Sequence, residues 1–192
     1  MPPGRSVLII GDSISMGYTP AVAALLADRA EVVHNPGNGG DSDNVAAHLQ
    51  AWLKEVPGEV VHFNCGLHDV KCHPDPPRLQ VPLERYRQNL SAIVQRLGRT
   101  GAALVWASST PVVEDRHARR GCGFDRFNRD VEAYNAAAEG VVTGAGIHVN
   151  DLHAAVVAAG AETLIGADGV HMTEEGSQML ARAVAECVRR FL

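Results

Sequence analysis

Ser6-Val7-Leu8-Ile9-Ile10-Gly11-Asp12-Ser13 is the stretch on which the reading of the fold turns. Val7 to Ile10 are four consecutive large aliphatics. They are too few for an ordinary helix and too uniformly apolar for a half-exposed strand, so they suit a central strand buried on both faces. Gly11 ends that strand. A hydroxyl placed where a buried parallel strand turns toward a helix lies at the carboxyl edge of the sheet, where open α/β folds put their ligands. Ser13 is therefore the candidate nucleophile. Taken alone, Gly-Asp-Ser is also a common turn ahead of an N-capping serine. The far end of the chain shifts the balance. In Asp168-Gly169-Val170-His171 a carboxylate and an imidazole stand three residues apart. One turn would let Asp168 hold one ring nitrogen of His171 while the other faces a serine.

Outward from that strand, Thr19-Pro20 marks the start of a helix through Ala30, since proline is pre-organised for a first helical turn and threonine can cap it. Glu31 to His34 form a second strand, and the loop from Asn35 to Ser42 carries three glycines and a proline. Ser42 or Asp43 caps a helix to about Glu55, which Pro57-Gly58 breaks. Glu59 to Asn64 is a third strand. A proline-rich loop, His73 to Pro82, leads to an amphipathic helix from Leu83 to Leu97 with Tyr86, Leu90, Ile93, Val94 and Leu97 as its apolar stripe. Ala102 to Ala107 is a fourth strand. Val112 to Asp125 is the longest irregular stretch, either a lid or binding loop or a solvated surface loop. A helix from Phe127 to Glu139, a fifth strand at Ile147 to Val149, a helix capped by Asp151 and a last helix from Glu174 to Phe191 complete the order. Five strands interleaved with helices imply an α/β fold with a parallel sheet covered on both faces. Its glycine-rich and histidine-bearing loops all follow strands, so they converge at one edge.

At 192 residues the chain suits one domain, residues 1–192. A net charge of −5 gives no electrostatic reason to expect nucleic acid or an anionic membrane as partner. No run of 18 apolar residues occurs, so no integral membrane segment is expected. Cys65, Cys72, Cys122 and Cys187 contain no CxxC pair, which argues against a zinc knuckle or a thioredoxin-like motif. With no export signal before the first strand, a cytoplasmic protein with reduced thiols is the expectation.

In their order along the chain, Gly11-Asp12-Ser13, Gly40-Asp41-Ser42, Gly66-Leu67-His68-Asp69 and Asp168-Gly169-Val170-His171 resemble the four sequence blocks of the SGNH (GDSL-type) hydrolase superfamily. The resemblance implies a flavodoxin-like three-layer α/β/α sandwich with a central five-stranded parallel sheet. It also implies a serine esterase that uses no cofactor or metal and acts on a small-molecule ester. Ser13 would attack the carbonyl, His171 act as base and Asp168 orient it. The oxyanion would be held by the backbone N–H groups of Ser13 and Gly40 and by a third-block asparagine. Here that position is His68, whose ring N–H can donate, with Asp69 expected to fix the ring. Asn35, Asn38 and Asn64 are the alternative donors. Asp12 is expected to hold the turn through nearby amides.

Family members act on acetylated sugars, short esters, thioesters and lysophospholipids. Few aromatics and an arginine-bearing loop favour a short, acetyl-like acyl group on a carbohydrate or other polar alcohol, whereas Leu164, Ile165, Val170 and Met172 could line a longer acyl pocket. Two readings of other classes are a metal-dependent phosphoesterase drawn on Asp12, Asn35, His68, Asp69 and His171, and a non-catalytic binding member.

Overall fold

Val7 to Ile10 are fully buried, as four aliphatics in a row demand, and they lie in the middle of the sheet. The computed structural model describes residues 4–55 and 58–192; Pro57, the expected helix breaker, lies outside them. The strands are β1 (Ser6–Ile10), β2 (Glu31–His34), β3 (Val60–Phe63), β4 (Cys72–Pro74), β5 (Pro77–Leu79), β6 (Ala103–Ala107) and β7 (His148–Asn150). Five of them form one sheet in the order β2-β1-β3-β6-β7, with every pair parallel. In register, Val7 stands opposite Val32 on one side and Val60 on the other.

The order reverses at β1: the chain steps outward to β2, then crosses back over β1 to β3 and continues the other way. Right-handed crossovers therefore place the helix after β1 on one face and those after β2, β3 and β6 on the other. Helices α1 (Ser13–Leu26), α2 (Ser42–Glu55) and α3 (Leu83–Leu97) are followed by the short α4 (Glu114–Arg119) and by α5 (Asn128–Gly144). Then come α6 (Leu152–Ala159), α7 (Ala161–Leu164) and α8 (Glu174–Val188), the last running into a 3₁₀ turn. Helices α1 and α8 pack together, and α3 packs against both α2 and α5. The result is a helix–sheet–helix sandwich whose strand-order reversal leaves a crevice past the ends of β1 and β3, where such folds bind ligands.

Three local expectations fail. Helix α1 begins at Ser13 and not at Thr19-Pro20, because the Asp12 side chain accepts the Ile14 amide and caps it. Ile14, Tyr18, Val22 and Leu26 then bury one face, and that packing outweighs a proline inside the helix. The proline-rich loop contains the β4–β5 hairpin. The stretch from Val112 to Asp125 contains α4, whose first residues, Glu114 and Asp115, are acidic and complement the helix dipole.

Gly39 shows how tightly the glycine loop is drawn onto β1. Its amide donates to the Gly11 carbonyl at 2.8 Å, and a Cβ there would stand 2.5 Å from that same carbonyl oxygen. Gly39→Ala should therefore destabilise the fold by about 1–3 kcal/mol, the range for overpacking, read as a lower urea midpoint at unchanged slope.

Candidate active site

Ser13 is the first residue of α1, so its N–H has no carbonyl within the helix to bond. Its Oγ lies 2.9 Å from Nε2 of His171. On the other side of the ring, Nδ1 lies 2.5 Å from Oδ2 of Asp168. A carboxylate only accepts, so Nδ1 carries the proton and Nε2 offers its lone pair to the serine hydroxyl. The second oxygen of Asp168 accepts the amides of Val170 and His171, each at 2.9 Å. Burial would raise this carboxyl, but the His171 ring and the two amides outweigh it and hold the pKa down to about 2. Residues 158 positions apart thus form one hydrogen-bonded line.

The segment after β6 braces that line. Val113 donates its amide to the Gly169 carbonyl at 2.9 Å. Gly169 has φ +74°, and a Cβ on it would meet the His117 nitrogen and the Val113 oxygen at 2.5 Å. Arg116 donates from Nη1 to the carbonyls of Glu162 and Ile165 at 2.9 and 2.8 Å. The stretch expected to be irregular is therefore a built support for the Asp168 loop.

At the oxyanion side, the Gly40 amide is held by the Asn38 side chain at 2.9 Å. His68 is in the turn after β3, and its Nε2 lies 3.8 Å from Oδ2 of Asp12. Burial lowers its pKa; Asp12 pulls upward, while Lys71 and Arg126 push down with the burial. The balance favours the neutral ring. Of the alternative donors, Asn64 and Asn35 have their amide groups engaged, and Asn38 uses only its oxygen. Asn64 donates to the Ala107 carbonyl at 2.7 Å, Asn35 donates to Gly37 at 3.1 Å, and Asn38 meets Gly40 through its acceptor oxygen.

Asp69 does not fix the His68 ring. It is fully buried and turns to the start of α2, where it accepts the Ser42 amide at 3.0 Å and the Ser42 hydroxyl at 2.5 Å. Asp12 caps α1, the turn-holding role expected of it. Two features had no motif to announce them. His34 Nε2 lies 2.6 Å from Ser15 Oγ, while its Nδ1 donates to the Asn35 carbonyl at 2.7 Å. Arg126 is buried beside the third block, its Nε donating to the Leu67 carbonyl at 2.7 Å. Among the described residues, the buried His62 and His117 each leave at least one ring nitrogen without a hydrogen-bond partner.

Residues 9–179 match the model of the GDSL-like lipase/acylhydrolase family. The chain belongs to that family. It is 24% identical to the human isoamyl acetate-hydrolyzing esterase 1 homolog over 192 residues, covering 91% of this chain and 77% of that protein. Its fold is similar to that of a lipase/acylhydrolase from Enterococcus faecalis, with a TM-score of 0.81 at 18% identity, 97% of this chain and 96% of that one. It is also similar to an acetylxylan esterase from Geobacillus stearothermophilus, with a TM-score of 0.78 at 19% identity, 99% of this chain and 95% of that one. The GDSL protein is an ester-hydrolysing enzyme of the SGNH superfamily. Among its described residues, no helix is long and apolar enough to cross a membrane.

Burial pushes the Asp69 carboxyl up to about 7, against the hydrogen bonds from Ser42 that favour its charged form. The unfolded chain releases that proton near 3.8, so between the two values the native state binds more protons. Stability then falls as pH rises from about 4 to about 7 and is flat above. Asp69→Asn removes this slope, and the difference in unfolding free energy between the two proteins, followed by urea titration across that window, should show it.

Proposed function

We propose that the enzyme is a serine esterase in which Ser13, His171 and Asp168 act in sequence and that it removes short acyl groups from a polar alcohol. The observation that carries this reading is the line of contacts from Ser13 Oγ through both His171 nitrogens to Asp168, at 2.9 and 2.5 Å. His171 Nε2 takes the hydroxyl proton as Ser13 Oγ attacks the ester carbonyl, and the imidazolium is stabilised by Asp168. The same proton then passes to the departing alcohol. A water molecule, deprotonated by His171, releases the acyl group from Ser13.

The negative oxygen formed in each step is held by the free N–H of Ser13, the Gly40 amide and the His68 ring. Gly40 exchanges its bond to Asn38 for the oxyanion. His68 takes the place of an asparagine donor; an N–H on Nε2 supplies the same single hydrogen bond, and a neutral ring avoids placing a charge there. Asp12 supports this arrangement by capping the helix that begins at Ser13.

Two observations support a short acyl group. Leu164, Ile165 and Val170 are buried in packing, and Ile165 bridges to Met172, so they do not open a channel. The relatives named for acetyl xylan and isoamyl acetate agree with a small acyl group.

Hydrolysis of p-nitrophenyl acetate, butyrate and octanoate should decline with chain length, persist in the presence of a chelator and disappear in Ser13→Ala, which should also escape fluorophosphonate labelling. Turnover that survives this substitution would refute the mechanism. For the third donor, His68→Ala should lose about 10² to 10³ in kcat, and a loss below about threefold would remove His68 from the oxyanion site.

A further inference from the structure

Next to the third block the chain places two cations side by side, and among the described residues neither has a counter-ion. Cys72 and Asp125 form an antiparallel bridge, with amide-to-carbonyl bonds of 2.8 and 3.0 Å in the two directions. In such a pairing the residue before one partner faces the residue after the other, so Lys71 stands opposite Arg126. Both lean on one aromatic ring: Lys71 Nζ and Arg126 Cζ each lie 5.1 Å from the centroid of Phe124. Arg126 is 5% exposed and Lys71 is half-buried.

Buried arginines are normally paired, and like charges directly opposite one another are unfavourable. Among the described residues, however, neither Lys71 nor Arg126 joins an ion pair. The carboxylates whose fields reach them are engaged elsewhere. Asp12 caps α1, Asp41 accepts from Asn44 and Gln80, and Asp168 holds His171. Arg126 uses its Nε on Leu67, which leaves Nη1 and Nη2 with no hydrogen-bond partner among the described residues. Burial lowers the pKa of both cations, and the field of Arg126 lowers that of Lys71 further.

We propose that Lys71 and Arg126 form an anion-binding subsite beside Ser13 that selects esters whose alcohol portion carries a carboxylate or a phosphate. The free edge of a guanidinium with an ammonium beside it matches the oxygens of either group. The subsite lies on the alcohol side because it stands between the third block, where Arg126 holds the Leu67 carbonyl, and the loop of His171, which hands the leaving alcohol its proton: the Phe124 ring lies 5.7 Å from the His117 ring, and the His117 backbone packs against Gly169. The subsite rests on the esterase reading above and names the class of alcohol that reading leaves open.

The test compares kcat/KM for three acetate esters of similar shape: 4-acetoxybenzoate, 4-acetoxyphenyl phosphate and the neutral 4-acetoxybenzamide. At least one anionic ester should be preferred by about tenfold, the worth of a hydrogen bond to a charged group; which one leads tells carboxylate from phosphate. Raising the ionic strength to about 1 M should shrink the preference. Lys71→Gln, at a side chain that makes no hydrogen bond, should reduce the anionic-to-neutral ratio by at least about threefold. A ratio near one, or a variant that slows all three esters equally, would overturn the subsite. If none of the three is hydrolysed, the esterase reading fails, and calorimetric titration with benzoate, phenyl phosphate and benzamide decides the subsite separately. Tighter binding of an anion, weakened by Lys71→Gln, supports it; equal affinities overturn it.

Discussion

Everything at the catalytic edge depends on how the end of β1 is pinned. The Gly11 amide donates to the Asn35 side chain at 2.8 Å, and the Gly11 carbonyl accepts the Gly39 amide at 2.8 Å. A Cβ on Gly11 would fall 2.5 Å from Ser15 Oγ. One residue later Asp12 caps α1. The strand end, the glycine loop and the helix start are thereby locked to one another across two residues, and Ser13 comes next. A buried parallel strand supplies the rigidity, since Val7 to Ile10 have neighbours on both faces and both edges. The position of the hydroxyl is set by main-chain geometry and does not rely on its own side-chain packing.

The partner loop has no such strand beneath it. Asp168 and His171 follow α7, and their line to Ser13 is held from outside by the segment after β6. Val113 bonds Gly169, and Arg116 ties down the carbonyls of Glu162 and Ile165. The close approach at Gly169 is what lets α4 sit against the loop at all. A part of the chain outside the line of Ser13, His171 and Asp168 therefore braces the loop that brings His171 to Ser13.

What was legible in the sequence follows from where the information lies. The strand sequence, the parallel sheet and the meeting of Ser13, Asp168 and His171 at one edge are legible because uniform aliphatic runs and short ordered motifs are local signals. The Thr19-Pro20 signal is local too, and it misleads, because Asp12 offers an equally local cap several residues earlier and the burial of Tyr18 and Val22, which decides between them, is a tertiary fact. The hairpin in the proline-rich loop and α4 were missed for the same reason. Asp69 was assigned to its sequence neighbour His68, whereas its partner is Ser42, 27 residues away. Lys71 and Arg126 carry no motif, and only the Cys72–Asp125 bridge brings them together.

Among the described residues, His62, Trp106, Thr110, His117 and His153 each bury a side-chain polar atom without a partner. His62 and Trp106 belong to the sheet and His153 to α6, whereas Thr110, His117 and Arg126, which joins no ion pair among the described residues, belong to the stretch that closes over the carboxyl edge. His117 receives only a weak pull from the Asp168 backbone. Each such group costs on the order of 1–3 kcal/mol, a sum that a loop resting on solvent could not bear. The sheet can offset it, because Phe63, Val105 and Trp106 beneath are buried and packed. Thr110, His117 and Arg126 thus carry their share of that cost in a segment held by the sheet below it and by its own bonds to Gly169, Glu162 and Ile165.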